Sequence, residues 1–250
     1  MSKPLETHPK PRASRVRPEL TRLPPLTPGR RLVRRLLHAL TRLLVWLFVD
    51  ARLSGGENYP LQGPVLVVSN HLGDADAIVG VAFSPRLPEL LAKTELYDFP
   101  ILGKLMRAYG VIWIHRGFPD RKALRAALQG LDEQRMVCLA PEGRESLNGA
   151  LEEGTNGAAY LAFKSKAPVL PVTFTGTENW RIYGNLKRLR RTQVSITVGP
   201  PFHLQPADDW RAAIQQGTRR IMLTLADQLP LEYRGVYAEN SQTASGGTNS

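Results

Sequence analysis

The stretch Val65-Leu-Val-Val-Ser-Asn-His-Leu-Gly-Asp-Ala-Asp76 determines how this chain is organised. Its first four residues are apolar and mostly β-branched, and they lead into Asn70, His71 and a turn rich in Gly and Asp. A buried strand followed by such a turn delivers polar side chains to the edge of a sheet. We therefore expect His71 to lie just beyond a strand and to act as the proton carrier of a site there.

Asp76 follows His71 by five positions, a spacing that would separate the two side chains by roughly 140° in a helix. The two can meet only across a turn, with His71 ending the strand and Asp76 opening the next helix. The carboxylate would then accept a hydrogen bond from one imidazole nitrogen and leave the other free as a base. Asp74 is the competing carboxylate, and its alternative role is to cap the helix.

The composition favours one α/β domain with a basic N-terminal arm. The chain has 250 residues, of which 42% are hydrophobic, enough for one substantial core. Residues 1–50 hold 11 Lys and Arg against 3 acidic residues, within a net charge of +11. Such an arm can meet nucleic acid or an anionic membrane, and charge alone does not decide between them. The single cysteine, Cys138, excludes an intramolecular disulfide and a CxxC metal site.

The first 50 residues divide into two segments. Residues 1–28 are basic and rich in proline, and we expect a disordered arm there. Residues 29–50 read as an amphipathic helix, with a row of arginines beside a row of leucines. Its uninterrupted apolar run is 7 residues, against about 20 needed to cross a bilayer. The pattern predicts a helix that lies on the membrane surface, and the alternative is a helix packed on its own domain.

Residues 51–235 alternate strands and helices, which predicts a single α/β domain with a central, mostly parallel or mixed sheet flanked by helices. Residues 236–250 are polar and rich in Gly and Ser, and we expect a disordered tail. Helices are predicted over 76–83, 99–109, 120–134, 154–166 and 208–229, and strands over 65–69, 89–95, 110–115, 136–140, 168–175 and 193–198. Polar residues follow several of these strands, where open α/β sheets place their sites.

Several familiar chemistries have no motif here. The sequence contains no Gly-x-Ser-x-Gly elbow, no Walker loop, no Gly-x-Gly-x-x-Gly fingerprint and no His/Cys cluster with metal-ligand spacing. The remaining candidates are a His/Asp pair, arginines and a glutamate at strand ends, and a membrane-facing arm. This combination suits the deprotonation of a hydroxyl beside an anion.

Four segments together resemble the PlsC-type 1-acyl-sn-glycerol-3-phosphate acyltransferase family. They are Asn70-His71-x-x-x-x-Asp76, Gly110-Val-Ile-Trp-Ile-His-Arg116, Pro141-Glu142-Gly143 and Ala167-Pro-Val-Leu-Pro-Val172. The resemblance implies the glycerolipid acyltransferase fold and acyl transfer from acyl-CoA or acyl carrier protein to a lysophospholipid hydroxyl. The best candidate acceptor is 1-acylglycerol-3-phosphate, which gives phosphatidic acid. No cofactor, metal or nucleic-acid partner is expected, and the enzyme would sit peripherally or monotopically on membrane lipids at the cytoplasmic face.

The same resemblance assigns roles to individual residues. His71 would be the general base and Asp76 would orient it, while Asn70, Glu142 and Gly143 would contact or orient substrate. The alternative for Glu142 is a loop carboxylate that accepts hydrogen bonds from backbone donors.

Three cations complete the predicted binding set. Arg116 and Arg144 would bind the anionic headgroup of the acceptor, or else form surface ion pairs. Lys93 would stabilise the oxyanion or bind donor phosphates, and an ordinary surface lysine is the alternative.

The sequence departs from the family pattern at three places, and the departure in the third motif bears on the acceptor. The third motif is usually Phe-Pro-Glu-Gly-Thr-Arg-Ser, but Ala140-Pro-Glu-Gly-Arg-Glu-Ser146 places Arg144 one position early and Glu145 where the arginine is expected. A carboxylate at that position would repel a phosphate. Gly73 stands where the family usually has Ser, and His115 stands where it usually has Asp. A second basic run, Lys187-Arg-Leu-Arg-Arg191, could touch lipid headgroups, coenzyme A phosphates or an acidic acyl carrier protein, or be a solvated loop.

Two other function classes remain as alternatives. A lipid or thioester hydrolase would use water in place of the acceptor. A basic nucleic-acid-binding protein would use the arm and the run at 187–191, but it would leave the polar strand ends unexplained.

Overall fold

The computed structural model describes residues 17, 19–115, 120–206 and 209–239. Most of the predicted arm and tail, and Arg116 with them, lie outside the described residues. The helices are α1 Pro28–Phe48, α2 Ala75–Phe83, α3 Leu102–Tyr109, α4 Arg121–Asp132, α5 Gly157–Ser165, α6 Asn179–Lys187 and α7 Trp210–Asp227. The strands are β1 Val49–Ser54, β2 Val65–Ser69, β3 Glu89–Lys93, β4 Ile112–Ile114, β5 Met136–Leu139, β6 Val169–Thr175 and β7 Thr192–Val198.

The strands form one seven-stranded sheet in the order β1-β7-β6-β2-β5-β3-β4. All neighbouring pairs are parallel except β6 and β7, which are antiparallel. This confirms the predicted single α/β domain with a mixed, mostly parallel sheet. β2 lies between β5 and β6, and the carboxyl ends of β2 to β6 share one edge of the sheet, which we call the site edge. Loops after these strands therefore converge beside the loop that carries His71.

Strand β2 is apolar throughout because both of its faces are covered. Leu66 and Val68 face a cluster built by α5 and α7, whereas Val65 and Val67 face a cluster that includes residues of α1 and α2. A strand buried on both sides reads as a continuous hydrophobic run. The run at 65–68 therefore fixes β2 at the centre of the sheet.

Helix α1 is docked to the domain on one face and open on the other. Thr27 caps its first turn by accepting a hydrogen bond from the N–H of Arg30, and Pro28 begins it. On the inner face Arg34 is buried and binds both carboxylate oxygens of Glu89, at 2.7 and 2.6 Å. The outer face carries five exposed leucines, Leu32, Leu36, Leu40, Leu43 and Leu47. The alternative, a helix packed on its own domain, is therefore observed for the inner face, and membrane contact by the outer face stays a prediction.

Parts of the predicted arm and tail pack on the domain, which corrects the expectation of disorder there. Leu23 is buried with Ile112 and Ala123, because the chain before α1 crosses the outer end of the sheet. At the other end the Tyr237 hydroxyl accepts a hydrogen bond from the N–H of Gly154. The boundaries of the domain at 28, 50 and 235 stay predictions.

Two elements were missed by sequence analysis, the edge strand β1 and the helix α6. Among the helices of the described ranges, none has the length and hydropathy needed to cross a bilayer.

Candidate active site

The loop between β2 and α2 brings His71 and Asp76 together. Nδ1 of His71 lies 2.8 Å from Oδ2 of Asp76. The same oxygen accepts hydrogen bonds from the backbone N–H groups of Leu72 and Gly73, at 2.7 and 3.0 Å. Asp76 is buried in the first turn of α2, while the side chain of His71 keeps 24% of its surface exposed. The structure therefore confirms that these two side chains meet across the turn.

This geometry defines what the imidazole can do. With Nδ1 donating to Asp76, the lone pair of His71 lies on Nε2. No hydrogen bond to Nε2 is found in the part of the chain that the structure describes. The pair therefore presents an oriented, unoccupied base at the site edge, and Asp76 would stabilise the imidazolium formed on proton uptake.

The competing carboxylate, Asp74, faces another partner. Its Oδ2 accepts a hydrogen bond of 2.9 Å from the hydroxyl of Tyr183 in α6. Asp74 stands at the cap position of α2, but its side chain makes no capping hydrogen bond. The alternative role as a helix cap is therefore wrong, because the side chain turns outward to α6.

Asn70 has a different role from the predicted substrate contact. Its amide N–H donates to the carbonyl of Phe174, and its amide oxygen accepts from the N–H of Phe174, both at 2.8 Å. Asn70 is buried, and these two bonds extend the β2–β6 pairing beyond its last register pair, Ser69 with Val172. We therefore assign Asn70 a structural role, because the backbone N–H and carbonyl of Phe174 occupy both polar groups of its amide.

Glu142 holds the backbone of the catalytic loop. Its two carboxylate oxygens accept from the N–H of His71 at 3.1 Å and from the N–H of Glu152 at 2.8 Å. Burial raises the pKa of Glu142 to about 7, against the opposing effect of these hydrogen bonds. The alternative interpretation, a carboxylate that satisfies backbone donors, is therefore the observed one, and direct substrate contact is not supported. The neighbouring Gly143 has φ of 73°, which the turn after β5 requires.

The two charged residues of the altered third motif, Arg144 and Glu145, contact different partners. Nη2 of Arg144 lies 2.6 Å from Oε2 of Glu152, so its guanidinium is engaged at the surface. Glu145 accepts a hydrogen bond of 2.7 Å from the amide of Asn179 in α6. Burial, and then the charge of Asp74, raise the pKa of the Glu145 carboxyl. Asn179 also accepts from the N–H of Asp74, so this contact places Glu145 beside the loop that holds His71.

Lys93 ends β3 at the same edge, half-buried, and its ammonium lowers the pKa of Glu145. Within the described ranges Lys93 has no hydrogen-bond partner. It is therefore an uncommitted cation at the same edge of the sheet as Glu145. Arg116, the other predicted cation, lies outside those ranges, and both residues stay predictions as ligands.

An apolar cavity opens beside His71 and Asp76. It measures about 260 Å³, and residues of α2, α4, α5 and the strands between them line it. Val67, Gly80 and Cys138 are among the residues that line it. A cavity with apolar walls and few polar groups fits a hydrocarbon chain. Burial raises the pKa of the Cys138 thiol to about 12, so the thiol stays protonated and serves as wall.

Helix α6 supplies site residues that sequence analysis missed. Asn179 accepts from the N–H of Asp74 at 2.9 Å and donates to Glu145, while Tyr183 donates to Asp74. No motif in the sequence marks these residues, since their partners lie 34 to 109 positions away. No cluster of His, Cys, Asp and Glu suited to a metal ion occurs among the described residues.

Comparisons with known proteins indicate the family of this chain. A family model described as Acyltransferase matches residues 50–175. Proteins named 1-acyl-sn-glycerol-3-phosphate acyltransferase are similar to this chain. One from Limnanthes douglasii is 27% identical over 178 residues, 69% of this chain and 61% of that protein. One from Borreliella burgdorferi is 27% identical over 151 residues, 59% and 60% of the two chains. The human protein called alpha is 26% identical over 209 residues, 80% of this chain and 70% of that protein.

A solved structure shares the fold. It is the crystal structure of the 1-acyl-sn-glycerophosphate (LPA) acyltransferase, PlsC, from Thermotoga maritima, with a TM-score of 0.59 and 22% identity. The match covers 79% of this chain and 81% of that one. This chain spans about 60% of the length of several of the curated relatives, such as the Limnanthes protein at 61%.

Proposed function

Because this chain belongs to the Acyltransferase family, we propose that it transfers a fatty acyl group from an acyl thioester to the hydroxyl of a lysophospholipid, with His71 as general base. The observation that carries the proposal is the His71–Asp76 pair at the mouth of an apolar cavity. An oriented base and a space for a hydrocarbon chain are the two parts that this reaction needs.

The chemistry follows from the free Nε2 of His71. Nε2 takes the proton of the acceptor hydroxyl as the hydroxyl oxygen attacks the thioester carbonyl carbon. The tetrahedral intermediate collapses, an ester forms, and the C–S bond breaks. The departing thiolate recovers the proton from the imidazolium, so the base is regenerated. No covalent enzyme intermediate is needed, because a thioester is already activated.

The neighbouring residues position this base. Asp76 fixes the tautomer of His71 and stabilises the imidazolium. Glu142 holds the backbone N–H of His71, and Asn70 ties the end of β2 to β6. A base held within a few tenths of an ångström works better than a mobile one, because misplacement costs rate steeply.

The acyl chain of the donor would occupy the apolar cavity, with its thioester carbonyl near His71. The donor is acyl-CoA or an acyl carrier protein, and both deliver the same thioester. Among acceptors, 1-acylglycerol-3-phosphate is favoured by the names of the similar proteins, and the product would be phosphatidic acid. Arg116 and Lys93 would supply the positive charge, and Glu145 would oppose it.

The membrane contact would be made by the exposed leucines of α1. These side chains are flanked by Arg31, Arg35 and Arg42, which are also exposed and would meet anionic headgroups. The enzyme would thus sit peripherally on the cytoplasmic face, where lysophospholipid is available.

The experiment is an acceptor panel. The purified protein is given radiolabelled acyl-CoA, or acylated carrier protein, with lysophosphatidic acid, other lysophospholipids or no acceptor. Transfer of label to a lysophospholipid supports the proposal. Release of labelled free fatty acid that does not depend on any acceptor would instead indicate a hydrolase and contradict it.

A further inference from the structure

We propose that α6 and the loop after it form a second lipid-contact surface, distinct from α1, which inserts into an anionic membrane beside the active site. We call this surface, residues 180–191, the α6 surface. The inference rests on the proposed function, since it explains how a membrane-resident acceptor reaches His71.

The α6 surface exposes large apolar side chains. Trp180 is 72% exposed and Leu189 is 88% exposed, and Tyr183 and Leu186 between them are also exposed. Leu189 adopts φ of 50°, in the left-handed region that a residue with a side chain rarely occupies. This conformation ends α6, since the N–H of Arg190 donates to the carbonyl of Asn185 at 2.9 Å, and it leaves the leucine side chain in solvent. Insertion into lipid would remove the apolar surface of that side chain from water.

The charge around Leu189 specifies the partner. Lys187, Arg188, Arg190 and Arg191 surround it, and all four are exposed. Cations that flank an apolar tip suit an anionic bilayer, since basic residues near such a surface are attracted to its headgroups. Trp180 adds an aromatic ring of the kind enriched at the headgroup level.

The α6 surface is fixed to the catalytic loop. Asn179 bridges the N–H of Asp74 and the carboxylate of Glu145, and Tyr183 donates to Asp74. The approach is close enough that a Cβ on Gly73 would lie 2.6 Å from Oδ1 of Asn179. Gly73 therefore permits α6 to pack against the loop that holds His71. A membrane that contacts α6 is brought to the mouth of the site.

The two lipid-contact surfaces meet at the site edge. The guanidinium of Arg191 donates to the carbonyl of Val49, the residue that follows α1. The exposed residues Trp46 and Phe48 stand at that end of α1. One bilayer plane can therefore touch the end of α1 and the α6 surface together. A lysophospholipid leaving the bilayer there has a short path to Nε2 of His71.

The test compares full-length variants on vesicles. Leu189→Asp and Trp180→Ser change the α6 surface, and Asp also tolerates the left-handed backbone at position 189 better than most residues. Leu61→Asp is the matched control, because Leu61 is 73% exposed but precedes β2 at the opposite edge of the sheet. Binding is measured by sedimentation with vesicles of phosphatidylglycerol and phosphatidylcholine in equal parts, and with phosphatidylcholine alone. Activity is measured in parallel with a short-chain, monodisperse lysophospholipid and with a long-chain one in the vesicles.

Leu189→Asp and Trp180→Ser should each reduce the partition coefficient onto the anionic vesicles by about tenfold, since burying one such side chain contributes about 1.5 to 3 kcal/mol. In both variants, turnover of the acceptor in vesicles should fall together with the partition coefficient. Turnover of the monodisperse acceptor should stay within about twofold of wild type. Leu61→Asp should match wild type in all these assays. Wild-type vesicle binding by both α6 variants would overturn the inference. His71→Ala, which tests the proposed function, should bind vesicles like wild type, so failure of one idea is distinguishable from failure of the other.

Discussion

Arg144 is held by Glu152, with Nη2 of the guanidinium 2.6 Å from Oε2 of the carboxylate. This ion pair directs Arg144 to the loop surface, and its neighbour Glu145 joins the residues around His71. The order Arg-Glu in the third motif therefore places a carboxylate beside the loop that holds His71, where it would oppose the anionic headgroup of the proposed acceptor. The acceptor preference of the enzyme should depend on this residue.

Glu145→Gln should lower the apparent KM for lysophosphatidic acid by several-fold, because removing a carboxylate from an anion site removes a repulsion. The KM for a lysophospholipid with a neutral headgroup should change by less than about twofold. Arg144→Ala should leave both constants near wild type if its guanidinium stays with Glu152. Steady-state kinetics on the two acceptors checks this. A rise of about tenfold in the KM for lysophosphatidic acid in Arg144→Ala would show instead that Arg144 binds the phosphate, as the sequence predicts.

Glu142 should make stability depend on pH. Its pKa is raised to about 7 in the folded protein, so the folded state binds more protons than the unfolded state between about pH 4.5 and 7. The free energy of unfolding contributed by this group therefore falls as pH rises through that window, by about 3 kcal/mol in total. Glu142→Gln removes this contribution. Relative to wild type, its free energy of unfolding should rise between pH 5 and 7.5.

Urea denaturation at several pH values measures this difference. Glu153→Gln is the matched control, because Glu153 is exposed in the same loop. Its curve should run parallel to that of wild type. Parallel curves for Glu142→Gln as well would contradict the buried, proton-binding carboxyl.

The pair formed by Arg34 and Glu89 should anchor α1. Both side chains are at least 97% buried, and Arg34 also donates to the carbonyls of Tyr109 and Gly110. Arg34→Met leaves the carboxylate of Glu89 with only Arg135 at 3.3 Å, and it should destabilise the protein by about 3 to 5 kcal/mol. Arg35→Met, on the exposed face, should shift stability by less than about 0.5 kcal/mol. Equal urea midpoints for the two variants would mean that α1 is not held by this pair.

Cys138 should act as a wall of the acyl cavity and not as a nucleophile. Its thiol is buried and protonated, so Cys138→Ala should keep near-normal activity with every donor. Cys138→Leu adds bulk to the cavity and should lower kcat/KM for long acyl donors more than for short ones. A chain-length series of acyl-CoA donors measures both effects. Inactivity of Cys138→Ala in a folded protein would point to covalent catalysis.

The parts of the site that sequence could predict are local. The strand β2 follows from a buried apolar run, and the meeting of His71 and Asp76 follows from their five-residue spacing across a turn. The parts that it could not predict are long-range. Asn70 finds its partner 104 positions away in β6, so its amide looks like a free polar group in the sequence. Chain topology, which the local pattern does not encode, decided its role.

The missed elements have the same cause. β1 is an edge strand with a mostly exposed surface, so it lacks the apolar pattern of a buried strand. α6 has no fully buried residue, and its contacts with Asp74 and Glu145 depend on the order of strands in the sheet. Disorder was expected before α1 because that segment is basic and proline-rich. Its described part is nevertheless attached to the domain by the buried side chains of Thr21 and Leu23 and by the ion pair between Arg17 and Asp98.

The central claim is that His71 removes the proton of the acceptor hydroxyl. The most direct measurement is the rate of acyl transfer by purified His71→Ala, with its melting temperature determined in parallel. The rate should fall by about 100-fold to 10,000-fold, with a melting temperature near that of wild type, because the side chain is partly exposed and its loss removes the base and not the fold. A folded His71→Ala that transfers acyl groups at the wild-type rate would contradict the account.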